Sequence, residues 1–244
     1  MRNYNNPLAL GSAVQYLLVA NLVVFILQIW LQMQLGFFGG LSVGVGWFER
    51  AFGLIPACLT YTGQDYTFVD QLGRLRLASQ FCQTPLTLWQ PVTYMFLHGG
   101  LMHIAFNMLA LWMFGSLLER IWGMKRFLYY YFFCGVGAGL LVAAIAYASR
   151  LFFGGAAFEL FPVTIGASGA VLGLLTAYGV LFPNNLIYMY FLPVKAKYAV
   201  WIFGGLSLMF AFSNTLSGIS HWGHLGGILF GYIAMNWRRL ASRL

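Results

Sequence analysis

The sequence predicts an all-α polytopic membrane protein: one membrane domain, residues 1–244, built as a bundle of six transmembrane helices whose fourth is short and partly submerged. Three observations predict it. Charged residues make up 7% of the chain against about 25% in soluble domains, while 61% are hydrophobic. Apolar runs recur that are too long and too continuous for barrel strands, which leaves helices as the spanning option because they satisfy their own backbone. Polar, cationic or Pro/Gly-containing segments separate the runs. A net charge of +8 would point to nucleic acid in a soluble protein. Here it fits cationic loops on one membrane face, and no basic patch with interleaved aromatics is present, so the expected partner is the lipid bilayer and not nucleic acid.

The first span covers about residues 13–35, longer than a signal-peptide core and without a convincing small-residue cleavage site, and is expected to stay as a signal anchor. Residues 36–90 form a large loop with Glu49, Arg50, Asp65, Asp70, Arg74 and Arg76; its aromatic start, Trp47, Phe48 and Phe52, suits the headgroup interface. Further spans are expected at about 92–118, 127–148, 168–182, 198–212 and 220–237. Between the fourth and fifth, the apolar residues 186–192 are interrupted by Pro193, Lys195 and Lys197.

Six spans bring both ends of the chain to one side, together with Arg2, Arg120, Lys125, Arg126, Lys195, Lys197, Arg238, Arg239 and Arg243. The opposite side holds Arg50, Arg74, Arg76 and Arg150. This bias puts the ends in the cytoplasm and the large loop outside, in a plasma or inner membrane. Cys58 and Cys82 share the outer loop, where a disulfide is a possible pairing, whereas Cys134 lies in an apolar run and reads as packing. The three cysteines have no metal-ligand spacing, and no metal or cofactor is expected.

The fourth segment organises the chain. Counted from Ser168 to Phe182, a helix is about 22 Å long, against a hydrocarbon core of about 30 Å. If it ends at one face, Ser168 lies below the other, where non-helical backbone survives only beside protein or a water cavity. His103 and Asn107 are four apart on one face of the second span. On the sixth, His224, Gly227 and Gly231 share a face that can approach Gly166, Gly169 and Gly173 closely enough for serine and histidine to meet. Even-numbered spans run parallel, so His103, Ser168 and His224 enter from the outer side at similar depth. Polar groups at that depth are costly and mark functional interiors. His98 and His221 sit nearer span ends and read as structural or rim residues.

A serine needs a base to become a nucleophile, and His224 is the candidate; with Glu119 and Glu159 in loops or at span ends, the pair is a dyad. The Ser168 backbone N–H, His103 and Asn107 are candidate donors to an oxyanion.

The ordered set His98-Gly-Gly-Leu-Met-His103-Ile-Ala-Phe-Asn107, Gly166-Ala-Ser168-Gly169 and Gly223-His224-Leu-Gly-Gly227-Ile-Leu-Phe-Gly231 resembles the rhomboid intramembrane serine proteases. The likeness runs from about Trp89 to Trp237 and includes Trp89-Gln90-Pro91-Val92-Thr93 and Leu118-Glu119-Arg120-Ile121-Trp122-Gly123. It implies a rhomboid-like bundle with Ser168 as nucleophile, His224 as base, and His103 and Asn107 beside the Ser168 N–H in the oxyanion hole. It further implies single-span membrane protein substrates, cut near the outer face where the helix unwinds. The chain departs from the family pattern at Gly223, often alanine; at Leu172, an aromatic in some members; and at Gln90, an arginine in some. The competing readings are a non-proteolytic binding member of the same fold and a small transporter. The first would most simply have lost Ser168 or His224, and the second would thread polar residues through both leaflets.

Overall fold

The computed structural model describes residues 11–39, 47–56, 67–69, 75–77, 88–153, 163–189, 192–212 and 220–241. It is mostly helical. Helix α1 is Ala13–Gly39 and α2 is Trp47–Phe52. Strands β1, Thr67–Val69, and β2, Leu75–Leu77, pair antiparallel. One turn, α3, Gln90–Thr93, leads through a 3-10 turn to α4, Leu101–Trp122. Then come α5, Met124–Phe153, and α6, Ser168–Leu181. Strands β3, Leu186–Met189, and β4, Leu192–Lys195, precede α7, Ala196–Phe212, and α8, His221–Ala241.

Among the described residues, three helices are long and apolar enough to cross a membrane, in the stretches Ala13–Met33, Leu101–Trp122 and Met124–Ser149. Helices α6 and α7 are apolar but shorter. Large apolar side chains such as Leu22, Phe106, Leu140 and Trp201 point outward from α1, α4, α5 and α7, the side-chain distribution of helices solvated by lipid. Helix α6 is the exception. Every residue from Gly169 to Ala177 is buried, because α4, α5, α7 and α8 pack around it.

Two local features differ from the expected all-α bundle of uninterrupted spans. The second span does not begin at residue 92: the chain turns at Leu97 to Gly100 and restarts at Leu101, and α4 widens to a π-helical turn over Leu111–Gly115. Residues 186–189 and 192–195 pair antiparallel as β3 and β4, with Leu186 opposite Lys195 and Tyr188 opposite Pro193. Pro193 cannot continue a helix but is tolerated in a two-stranded ribbon that leaves one backbone edge open. The possible Cys58–Cys82 disulfide lies outside the described residues, whereas Cys134 is a free, buried thiol.

Close approach of α5, α6 and α8 depends on small residues. A β-carbon on Gly227 would overlap the Gly169 carbonyl oxygen, and one on Gly231 would come within 3.0 Å of the Gly173 backbone. The helices meet backbone to backbone there, as small-residue faces allow. Tyr130 of α5 seals the seam by donating to the carbonyls of Gly173 (2.8 Å) or Gly231 (3.1 Å). Near the end of α4 the buried Glu119 carboxylate accepts from the N–H groups of Ala13 (2.7 Å) and Val14 (3.0 Å). Ser12 Oγ accepts from Gln15 N–H. The first turn of α1 thus finds acceptors for donors that no helix can satisfy internally.

The segment around α2 is tied to the bundle by Trp89-Gln90-Pro91-Val92-Thr93. Trp89 Nε1 donates to Ala51 O (2.9 Å), Gln90 Nε2 to Arg50 O (3.1 Å) and Thr93 Oγ1 to Phe52 O (2.6 Å), while Gln90 Oε1 accepts from Ile55 N–H (3.1 Å). A neutral amide at Gln90, buried, both gives and accepts backbone bonds here, which an arginine could not do.

Candidate active site

The strand-like segment before α6 is held on two sides. Leu54 and Thr164 exchange backbone hydrogen bonds (2.9 and 2.8 Å), and Gly166 N–H donates to Tyr94 O (2.8 Å). Gly166 then turns the chain at φ +124°, a conformation that L side chains rarely adopt, and a β-carbon there would lie 2.8 Å from the His103 ring. Grouped with the packing glycines in sequence, Gly166 instead lies in the loop ahead of α6, where it makes room for a histidine. Ala167 caps the helix and Ser168 is its first residue, so the Ser168 N–H belongs to the initial turn that has no intrahelical acceptor.

His224 reaches Ser168 from α8. Its Nε2 lies 2.9 Å from Ser168 Oγ, with both side chains partly buried. The distance is that of a hydrogen bond. The backbone contact of Gly227, one turn on from His224, with Gly169, the residue after Ser168, brings the two first turns close enough for this pair to form.

His103 is 63 positions from Gly166 in sequence but lies against it in space. The Gly99 N–H donates to His103 Nδ1 (3.2 Å). An imidazole nitrogen that accepts carries no proton, so a neutral His103 bears its hydrogen on Nε2, on the side of the ring that meets Gly166. Asn107, one turn on and buried, donates through Nδ2 to His103 O (3.0 Å) and has a second amide proton to offer.

The segment between the 3-10 turn and α4 is clasped by α1. Gln28 Nε2 donates to His98 O (3.0 Å) and its Oε1 accepts from His98 N–H (3.2 Å). Gln28 and Gln32 both donate to Glu49 Oε1 (2.9 and 2.6 Å). The buried His98 ring stands edge-on to His103 at 5.1 Å and to Phe25 at 6.5 Å. His221 stacks on Phe210 at 5.4 Å and stands perpendicular to His224 at 6.0 Å. Sequence reasoning missed Gln28, whose partners Glu49 and His98 lie 21 and 70 positions away, and Ser207 of α7, whose Oγ is 3.4 Å from His224 Nδ1.

Among the described residues, no group of three or more His, Cys, Asp or Glu side chains is placed to hold a metal ion. The groups brought together are a hydroxyl bonded to an imidazole, with the Ser168 backbone N–H, the His103 imidazole N–H and the Asn107 carboxamide nearby.

This is a helical membrane protein carrying a serine–histidine pair inside its bundle. The chain belongs to the rhomboid family, whose Rhomboid domain matches residues 85–239. It is similar to the rhomboid protease GluP of Bacillus subtilis (strain 168), 34% identical over 146 residues, which cover 60% of this chain and 25% of GluP. To YdcA of the same bacterium it is 29% identical over 150 residues, 60% of this chain and 67% of YdcA. To the mitochondrial RHOMBOID-like protein 6 of Arabidopsis thaliana it is 30% identical over 145 residues, 59% of this chain and 41% of that protein. The matched region is thus a quarter of the length of GluP and two thirds of that of YdcA.

Proposed function

We propose that this protein is an intramembrane serine endopeptidase that cuts single-span membrane proteins near the outer membrane face through a Ser168–His224 dyad. The observation that carries the reading is the 2.9 Å separation of Ser168 Oγ and His224 Nε2 at the first turn of a helix buried among others. Family membership supports it, because the relative GluP carries the name rhomboid protease.

In this mechanism His224 Nε2 takes the Ser168 hydroxyl proton as Oγ attacks the scissile carbonyl carbon. The carbonyl oxygen becomes an oxyanion facing the Ser168 N–H, His103 Nε2–H and Asn107 Nδ2–H. Donors fixed in advance stabilise that charge more than the ground-state carbonyl, which is what lowers the barrier. The C–N bond then breaks, the amine leaves with the proton held on His224, and the acyl group remains on Ser168 Oγ. Water, deprotonated by His224, attacks the ester and releases the new carboxylate.

The topology belongs to the same proposal. Six spans, α1, α4, α5, α6, α7 and α8, put the Arg/Lys-rich side in the cytoplasm and open the site toward the exterior or periplasm of a plasma or inner membrane. Helix α6, 14 residues and about 21 Å long, falls short of a hydrocarbon core of about 30 Å, so its serine end is submerged. A substrate helix must unwind to reach it, which favours small or helix-breaking residues at the cut.

The reading is tested by reconstituting the protein in lipid vesicles with a panel of single-span substrates. Cleavage by wild type and none by Ser168→Ala is the expected result. Equal cleavage by both contradicts it.

A further inference from the structure

If Ser168 and His224 act as a dyad, the base must offer a bare Nε2 to the serine hydroxyl. A neutral imidazole carries one proton, so the proton must then stand on Nδ1. Nothing in the Ser168 contact enforces this: a serine hydroxyl both donates and accepts, and the opposite tautomer, with Nε2–H donating to Oγ, satisfies the same 2.9 Å distance. In that tautomer the histidine cannot take the proton. The partner of Nδ1 therefore decides whether the pair is competent.

That partner is Ser207. Its Oγ is 3.4 Å from His224 Nδ1, and the residue is buried on α7, facing α8 across a close helix contact. The neighbouring ring of His224 is His221, edge-on at 6.0 Å, a contact that restrains the ring's position without choosing its tautomer. A serine hydroxyl suits the task because its oxygen can accept from Nδ1–H while its own proton turns to a helix carbonyl. Ser207 lies in an apolar helix, between Leu206 and Leu208. A polar atom at such a place finds a partner or costs free energy, and the partner here is the candidate base.

We propose that Ser207 is a positioning residue: its Oγ accepts from His224 Nδ1–H, which holds the imidazole in the tautomer and orientation that present a bare Nε2 to Ser168. The site is then a Ser168–His224–Ser207 relay with a neutral third member supplied by α7. When His224 takes the serine proton, Ser207 Oγ also faces the Nδ1–H of the imidazolium. The inference rests on the protease reading, but the tautomer is a property of the resting protein and is measurable without turnover.

The test uses full-length protein in lipid, labelled with 15N-histidine, with the His224 signals assigned by their loss in His224→Gln. Nitrogen shifts distinguish protonated from bare ring nitrogens. Wild type is expected to show Nδ1 protonated and Nε2 bare, Ser207→Ala a mixture of tautomers, and Ser207→Thr, which keeps the hydroxyl, the wild-type pattern. In parallel, inactivation by a fluorophosphonate is resolved into its limiting rate and its half-saturating concentration. Ser207→Ala should lower the limiting rate about 10-fold, less than the roughly 10⁴-fold cost of the wrong tautomer in a triad with a buried aspartate, with half-saturation little changed. Ser207→Thr should recover most of the rate. Ser207→Ala with an unaltered tautomer and rate overturns the proposal and leaves the dyad standing, whereas wild-type His224 with its proton on Nε2 overturns the proposal and, with it, His224 as the resting base. A folded wild type that does not react, with a tautomer that still follows Ser207, removes the protease reading and with it any role of Ser207 in catalysis.

Discussion

Ser168 Oγ and His224 Nε2 lie within hydrogen-bond distance although 56 positions separate them in the chain. The contact is made by backbone geometry further down the same two helices. Gly227, one turn on from His224, touches Gly169, the residue after Ser168, and neither can carry a β-carbon. Substituting Gly227→Val should therefore push α8 from α6, at a cost of about 1–3 kcal/mol for overpacking or more, and lower both cleavage and the thermal midpoint in detergent. Gly205→Ala is the matched control: a β-carbon there meets nothing within 4 Å, and neither quantity should fall.

The proposed oxyanion hole has a different signature. If His103 and Asn107 donate to the developing charge, His103→Ala and Asn107→Ala should each lower kcat by about 10²-fold or more, about 2.7 kcal/mol, with KM little changed. Gly166→Ala should join this class because the new methyl group would press on the His103 ring at a backbone φ of +124°. Steady-state kinetics on a reconstituted substrate, with melting curves to exclude unfolding, separates the three from Gly227→Val.

Glu119 should affect stability and not chemistry. Its carboxylate accepts from the Ala13 and Val14 N–H groups near the end of α4. Glu119→Ala leaves two donors of α1 without acceptors and should cost about 1–3 kcal/mol in each case where water cannot replace the bond. Thermal unfolding of the purified protein should show a clear loss, and the limiting rate of the fraction that remains folded should be that of wild type.

Much of the site was legible in sequence because membrane depth makes polar residues informative. His103, Asn107 and His224 stand out in apolar runs, and the short run after Ser168 reveals a helix that cannot span. The order of the motifs then points to one family. The clasp of Gln28 and Glu49 on the His98 segment was not legible, since Gln28 in a long apolar helix gives no hint of a partner 70 positions away. Ser207 was invisible for a related reason: a serine between leucines is ordinary in a membrane helix, and only the placement of α7 against α8 gives it a histidine to meet. The interrupted start of the second span escaped hydropathy because Leu97, Leu101 and Met102 keep the run apolar while Gly99 and Gly100 break the helix. The β3–β4 pair carried its signal in Pro193 and the polar turn before it, yet strands this short have no clear period.

The central claim is that Ser168 is a nucleophile activated by His224, and the most direct measurement needs no substrate. Solubilised wild type, Ser168→Ala and His224→Ala are treated with a fluorescent fluorophosphonate, and covalent labelling is followed after confirming that all three are folded. The account predicts labelling of wild type that disappears in Ser168→Ala and falls to near background in His224→Ala. A folded wild type in lipid that takes no label, or a Ser168→Ala variant labelled as well as wild type, would contradict it.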